Sequence, residues 1–210
     1  MRKIAKDEAP ANLERWKHQN PHGTYDQVGA SLRQDIRLAC LREQFYLCAY
    51  CCKAISADPG GSMNEHLEAR KIAPQRSLDF DNIVASCTTS GQCDAAHGSR
   101  PLLLTPLMPE CETELKFRIS GRVEGLSPRA EQAIEVLKLG ATEQQNRRLV
   151  EARKQLADTL MFVNGIPSDG LDDDELIRAV VDDLETPTDG KLEPYSPVVV
   201  NIVRQWLTRP

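Results

Sequence analysis

Two pairs of cysteines carry the clearest chemistry in the chain. Cys48 and Cys51 stand as Cys-x2-Cys and Cys87 and Cys93 as Cys-x5-Cys, about forty residues apart. Two such pairs suit one tetrahedral zinc held by four thiolates, a closed structural site. Using Cys52 in place of Cys51 would lengthen the first spacing, so Cys51 is preferred. The plainer alternative is that these are small buried hydrophobes. Cys40 and Cys111 have no partner at ligand spacing and are read that way.

Between the pairs lies NEHLEARK, residues 64–71. Glu65 can ligate a hard cation through oxygen, while His66 can act as general base on a water. After the second pair, CDAAHG offers Asp94 as a second oxygen ligand. His97 in the same stretch is open to three readings: a third metal ligand, a phosphate contact or a surface residue. Asn82, inside FDNIV, is an amide able to pin loop backbone near His66. Arg70 and Lys71 follow His66 closely and are the candidate phosphate contacts, with Arg76 the weaker choice. Ordinary solvated surface is their alternative, since Glu68, Asp79 and Asp81 balance them locally.

Short elements must hold these groups. Residues 25–45 carry Val28, Leu32, Ile36, Ala39 and Phe45 near helical spacing and predict a helix leading into the first cysteine pair. Residues 53–80, with Pro59, Gly60, Gly61 and Pro74, suit turns and short strands. DFDNIVASC, 79–87, reads as a helix start with Asp79 or Asp81 as N-cap. ELKFRISGRVEG alternates as a hairpin turning at Ser120-Gly121. Helix signals follow: Ser127-Pro128 as cap and first-turn proline, and Thr142 with Gln145 as a capping box. Leu149, Ala152, Leu156 and Leu160 make one apolar stripe. Residues 171–185 form an acid-rich helix whose first-turn aspartates suit the helix dipole. A last helix from Ser196-Pro197 packs Val199, Ile202, Val203 and Trp206.

With 210 residues and 5% aromatics, the chain can build one compact domain whose small core gains from a metal staple. No apolar run reaches membrane-spanning length and the start lacks a secretory signal, so the expected location is cytoplasmic. Seven cysteines there are expected to stay reduced. Net charge runs +2 over residues 1–60, −2 over 61–126 and −5 over 127–210, which excludes a broad basic surface for nucleic acid. Any nucleic-acid substrate must then be held by a local patch, a metal or a partner. The acidic helix reads most simply as a solvated face, otherwise as a dock for a basic partner.

CAYC (48–51), EH (65–66), DFDNIVASC (79–87) and CDAAHG (93–98) together resemble the HNH, or ββα-metal, endonucleases. The likeness is closest to the HNH component of the Septu and retron-associated anti-phage defence systems, and it spans most of residues 25–160. It departs from the common pattern in having Asp94 for asparagine or histidine, Glu65 for aspartate and His97 for lysine.

The resemblance implies an α+β fold in three parts: an N-terminal helical segment 1–46, a zinc-clipped ββα-metal core with its hairpin at 47–126, and a C-terminal helical appendage at 127–210. It also implies hydrolysis of nucleic-acid phosphodiester bonds, with His66 as base, Asn82 positioning, and Glu65 and Asp94 on Mg²⁺ or Mn²⁺. An ATPase subunit would be the partner and supply positive charge. The substrate is expected to be DNA, with RNA such as tRNA as the alternative. A zinc-stabilised adaptor without catalysis is the reading from a different class.

Overall fold

The computed structural model describes residues 1–163 and 173–207, the side chains of 160–163 excepted. Among these residues the protein is α+β, with seven helices and two small antiparallel sheets. No helix among them is long and apolar enough to cross a membrane.

Two helices precede the first cysteine pair, α1 (Ala11–Gln19) and α2 (Ala30–Glu43). The helix expected over 25–45 is shorter than its apolar spacing suggests. Thr24 and Gln27 close a separate 3₁₀ turn at Tyr25–Gln27, and Val28 is extended, so α2 starts only at Ala30. Beyond its end, Phe45 and Tyr46 take φ of 51° and 60°, turning the chain into the cysteine pair.

Strands β1 (Met63–His66) and β2 (Ile83–Ser86) pair antiparallel, with Met63 opposite Ser86 and His66 opposite Ile83. Segment 79–87 corrects the sequence reading. The Asp79 carboxylate does accept the Asp81 N–H (3.1 Å), but it caps a single 3₁₀ turn, Phe80–Asn82, that gives way to β2. All four β2 residues are buried. A strand covered on both faces shows an apolar run without alternation, which sequence periodicity alone does not separate from helix. One turn of helix, α3 (Asp94–His97), follows the second cysteine pair.

The expected hairpin is present as β3 (Leu115–Phe117) and β4 (Val123–Gly125). At its tip Gly121 has φ +79°, and a Cβ there would lie 2.0 Å from the Val150 carbonyl oxygen. Only glycine lets the tip press on the next helices this closely. Helix α4 (Pro128–Leu137) starts as expected, with the Ser127 hydroxyl accepting the Ala130 N–H at 3.2 Å. At α5 (Glu143–Val163) the expected capping box closes on one side only. Thr142 Oγ1 accepts the Gln145 N–H, whereas the Gln145 side chain takes the N–H groups of Gly140 and Ala141. The α5 stripe is also rotated: Leu149, Val150, Arg153 and Ala157 are buried, Ala152 and Leu156 half-buried, and Leu160 lies outside the described side chains.

Helices α6 (Asp174–Glu185), capped by Asp173, and α7 (Ser196–Leu207) pack together, and α7 buries the expected Val199, Ile202, Val203 and Trp206. Residues 171 and 172 of the expected acidic helix lie outside the described residues. These C-terminal helices are built onto the core rather than appended to it. Asn201 bonds the open edge of β3, accepting from Phe117 N and donating to the Leu115 carbonyl, both at 2.9 Å. The Tyr195 N–H donates to the Cys52 carbonyl (2.8 Å), and one buried cluster runs from Met1 through both sheets to Trp206.

Candidate metal centre and carboxylate–histidine cluster

A tight loop brings the first two cysteines together. The Cys48 N–H donates to Lys53 O, the Cys52 N–H returns to Cys48 O, and Cys52 sits at φ 62° to close the turn. The Ala49 N–H then docks this loop on β2 through Ala85 O (3.1 Å), and the buried Gln44 side chain clasps both Leu47 and Ala85. Cys87 leaves β2 at the same end, and Cys93 enters α3 at φ 52°.

As a result the Sγ atoms of Cys48, Cys51, Cys87 and Cys93 all lie within 4.8 Å of one another and are buried. A tetrahedron with Zn–S bonds of about 2.3 Å has sulfurs about 3.8 Å apart; Cys51 and Cys87 are at 3.9 Å. N–H donors also face the sulfurs, with the Cys87 N–H 3.3 Å from Cys48 Sγ. Hydrogen bonding among the sulfurs, with burial, pushes the Cys51 and Cys93 thiols well above their ordinary range, while hydrogen bonds from the other three cysteines pull Cys87 below it against the effect of burial. Four sulfurs this close ionise together only around a cation, and this donor set could hold a metal such as zinc. Cys52 stays out of the cluster, as its spacing suggested. Cys40 and Cys111 are fully buried core residues, their thiols pushed by burial up to about 12.

The groups read as catalytic divide between the two faces of β1, since neighbouring strand residues point to opposite sides. Glu65 faces α3. Its Oε1 accepts from His97 Nδ1 at 2.6 Å and from the Tyr50 hydroxyl at 3.2 Å. Burial works against its charge, yet the hydrogen bonds from His97 and Asp94 hold the Glu65 carboxyl below the usual range. Half-buried Asp94 responds in the opposite sense. Burial, then its hydrogen bond and repulsion with Glu65, push its carboxyl up to about 8. His97 is 1% exposed, which corrects the surface reading, and its Nε2 is buried without a hydrogen-bond partner.

His66 points the other way, edge-on to the Tyr25 ring, with Nε2 at 3.0 Å from the Ser77 carbonyl. That carbonyl can only accept, so Nε2 carries the proton and the lone pair rests on Nδ1. Burial lowers the pKa of His66 and keeps the ring neutral. Fully buried Asn82 does pin a loop. Its Oδ1 accepts the Glu68 N–H (2.8 Å), and its Nδ2 donates to the carbonyls of Glu68 (3.0 Å) and Arg76 (3.2 Å). Beside it opens a cavity of about 630 Å³ lined by Leu67, Ile72, Asn82, Arg100, Leu107 and Met108.

Two of the three candidate phosphate contacts are already engaged. Arg70 pairs with Asp26, while Arg76 pairs with Glu68 and Asp79. Lys71 is exposed and has no ion-pair partner among the described residues. Two contributors escaped the sequence reading. Tyr50, inside the first cysteine pair, supports Glu65, and Gln92, directly before Cys93, places its amide against three of the sulfurs. In both cases adjacency to a ligand cysteine was the available signal.

No protein-family model matches this chain, and comparison with curated proteins finds no relative.

Proposed function

We propose that the protein is a metal-dependent endonuclease of the HNH type, hydrolysing nucleic-acid phosphodiester bonds as the effector of an anti-phage defence complex with an ATPase partner. The observation that carries this reading is the succession β1–β2–α3, which brings Glu65 at the end of one strand against Asp94 and His97 on the helix. Two carboxyls held together at the junction of strand and helix offer oxygen donors of the kind a hard cation takes. Mg²⁺ or Mn²⁺ bound there by Glu65 and Asp94 would supply charge stabilisation at the phosphoryl oxygens, with His97 holding Glu65 in place through Nδ1.

The chain's own residues would do the rest. His66 is the last residue of β1, and the phosphodiester would lie at that end of the strand. Its neutral Nδ1 would accept a proton from water as the water oxygen bonds to phosphorus and the bond to the leaving sugar oxygen breaks. Ser77 orients the ring through Nε2, and Asn82 holds the loop 68–76 against the site. Zinc at the four cysteines would fix the strand–helix angle on which this geometry depends.

A second reading, a zinc-stabilised adaptor, is favoured by one observation. Glu65 is already satisfied by His97 and Tyr50, and His66 by Ser77, as in a structural network. The deciding experiment incubates the chain, alone and with an ATPase partner, with supercoiled plasmid or bulk tRNA plus Mn²⁺, against His66→Ala. Cutting that His66→Ala abolishes while its melting curve stays that of the parent supports the nuclease, and the substrate consumed separates DNA from RNA. Absence of cutting by a folded, metal-loaded chain favours the adaptor.

A further inference from the structure

Four thiolates around one divalent cation leave two surplus negative charges in a buried site, and groups around the ligands must offset them. The corner between α4 and α5 stands behind the groups that face these sulfurs. Gln92 Nε2 stands 3.7 Å from Cys51 Sγ, 3.7 Å from Cys87 Sγ and 3.9 Å from Cys93 Sγ. Its amide is oriented from behind, because Gln92 Oε1 accepts from Asn146 Nδ2 at 2.9 Å. Asn146 also donates to Lys138 O (2.8 Å) and leaves helical geometry at φ −159°, ψ 80°, kinking α5 near its start. The Cys93 N–H donates to Leu137 O at 2.9 Å, tying the end of α4 to a ligand residue.

Arg153, on the same corner, is 1% exposed. Its Nη1 donates to Leu139 O (2.7 Å) and its guanidinium lies over the Phe117 ring, but Nε and Nη2 have no hydrogen-bond partner. Among the described residues no carboxylate pairs with it, and it shares with Asn146 the helix α5 that backs Gln92 against the sulfurs. A buried guanidinium left this way is costly unless an anion lies near, and the four-thiolate centre would be that anion.

We propose that Gln92, Asn146 and Arg153 form the outer shell of the four-cysteine metal centre, through which the α4–α5 corner sets how tightly the metal is held. The proposal rests on the cysteine cluster binding metal. Gln92 delivers N–H dipoles to three sulfurs, Asn146 fixes their direction, and Arg153 supplies the compensating charge. Partners beyond the ligands typically contribute about 10- to 100-fold in affinity.

The test uses the full chain loaded with zinc, titrated against a chromophoric chelator, and the Co²⁺-substituted protein read by its thiolate-to-metal charge-transfer band. Gln92→Ala and Asn146→Ala are expected to weaken zinc about 10- to 100-fold and to shift the Co²⁺ band. Gln92→Glu keeps the side chain's shape but turns a donor into an anion facing the sulfurs, so it should bind more weakly than Gln92→Ala. A purely structural role for Gln92 predicts the reverse order. Arg153→Met should separate two properties: the metal-free chain becomes more resistant to urea, while the loaded chain loses zinc faster. Arg153→Lys, which keeps the charge, should retain most of the affinity and covers the case in which Arg153→Met does not fold. A parent chain that takes up neither stoichiometric zinc nor Co²⁺ overturns the metal reading itself. Metal uptake with parent-like affinity and spectrum in all the Gln92 and Arg153 variants overturns the outer shell alone.

Discussion

Replacing Tyr50 by phenylalanine removes one oxygen atom from the interior and leaves the packing intact. Tyr50 is fully buried and its phenol stays protonated, since burial and the Glu65 charge push its pKa well up. The hydroxyl is therefore a fixed donor to Glu65 Oε1 at 3.2 Å. A hydrogen bond to an ionised group contributes about 1.5–3 kcal/mol. Glu65 keeps His97 at 2.6 Å, which lowers the expected loss to about 1–2 kcal/mol. In a chain of this size that is about 2–8 °C in Tm. The pH dependence has a definite sign. Glu65 is held below its ordinary 4.5, so its contribution is complete above that pH and fades as pH falls through the depressed value. The gap between parent and Tyr50→Phe should accordingly be full at pH 7 and narrow in acid. Urea denaturation across pH 2.5–8, with an unchanged m value, measures it. Equal midpoints at neutral pH, or a gap that widens in acid, would refute the claim that Tyr50 supports an ionised Glu65.

Other perturbations follow from the same geometry. Asn82→Ala deprives the Glu68 N–H and the Glu68 and Arg76 carbonyls of their partner, and should cost about 2–4 kcal/mol. Limited proteolysis should then cut within 68–76 faster than in the parent, and an unchanged cleavage rate would leave Asn82 without its pinning role. Gly121→Ala drives a Cβ into the Val150 carbonyl from a left-handed backbone, an expected loss of about 2–4 kcal/mol in urea denaturation. A parent-like midpoint would mean that the hairpin tip does not press on α5. Cys48→Ser should lose bound metal and amide-exchange protection over residues 47–97, because structural zinc commonly contributes about 10–16 kcal/mol, as much as an entire domain's stability. A variant that keeps its metal content and melts with the parent contradicts the metal reading.

Much of the frame was legible because local chemistry dictated it. Ser127-Pro128 specifies a helix start whatever surrounds it, and the alternation around Gly121 specifies a hairpin. The choice of Cys51 over Cys52 followed from spacing alone. What failed depended on neighbours distant in sequence. The cap at Asp79 is the same for a lasting helix and for one 3₁₀ turn, and only the pairing of Ile83 with His66 decides for strand. His97 looks like a solvated helix end until Glu65 and Tyr50 close over it. Arg153 lies near the expected α5 stripe but reads as solvent-facing by residue type, and its burial depends on Phe117 and Leu139. The strand's alternation between Glu65 and His66 was implicit in the sequence once β1 was drawn.

The ion pairs beside His66 have a consequence for recognition. Polyanion binding draws much of its affinity from the release of condensed counterions, one for each phosphate that a free cation neutralises. Arg70 and Arg76 arrive at that exchange with Asp26, Glu68 and Asp79 already in the anion's place. A phosphate displacing those carboxylates swaps one protein-held anion for another, so little is gained in solution entropy. Engagement of a backbone at this face would thus be weak and only shallowly dependent on ionic strength. Lys71, exposed and without an ion-pair partner among the described residues, would contribute most of what slope there is.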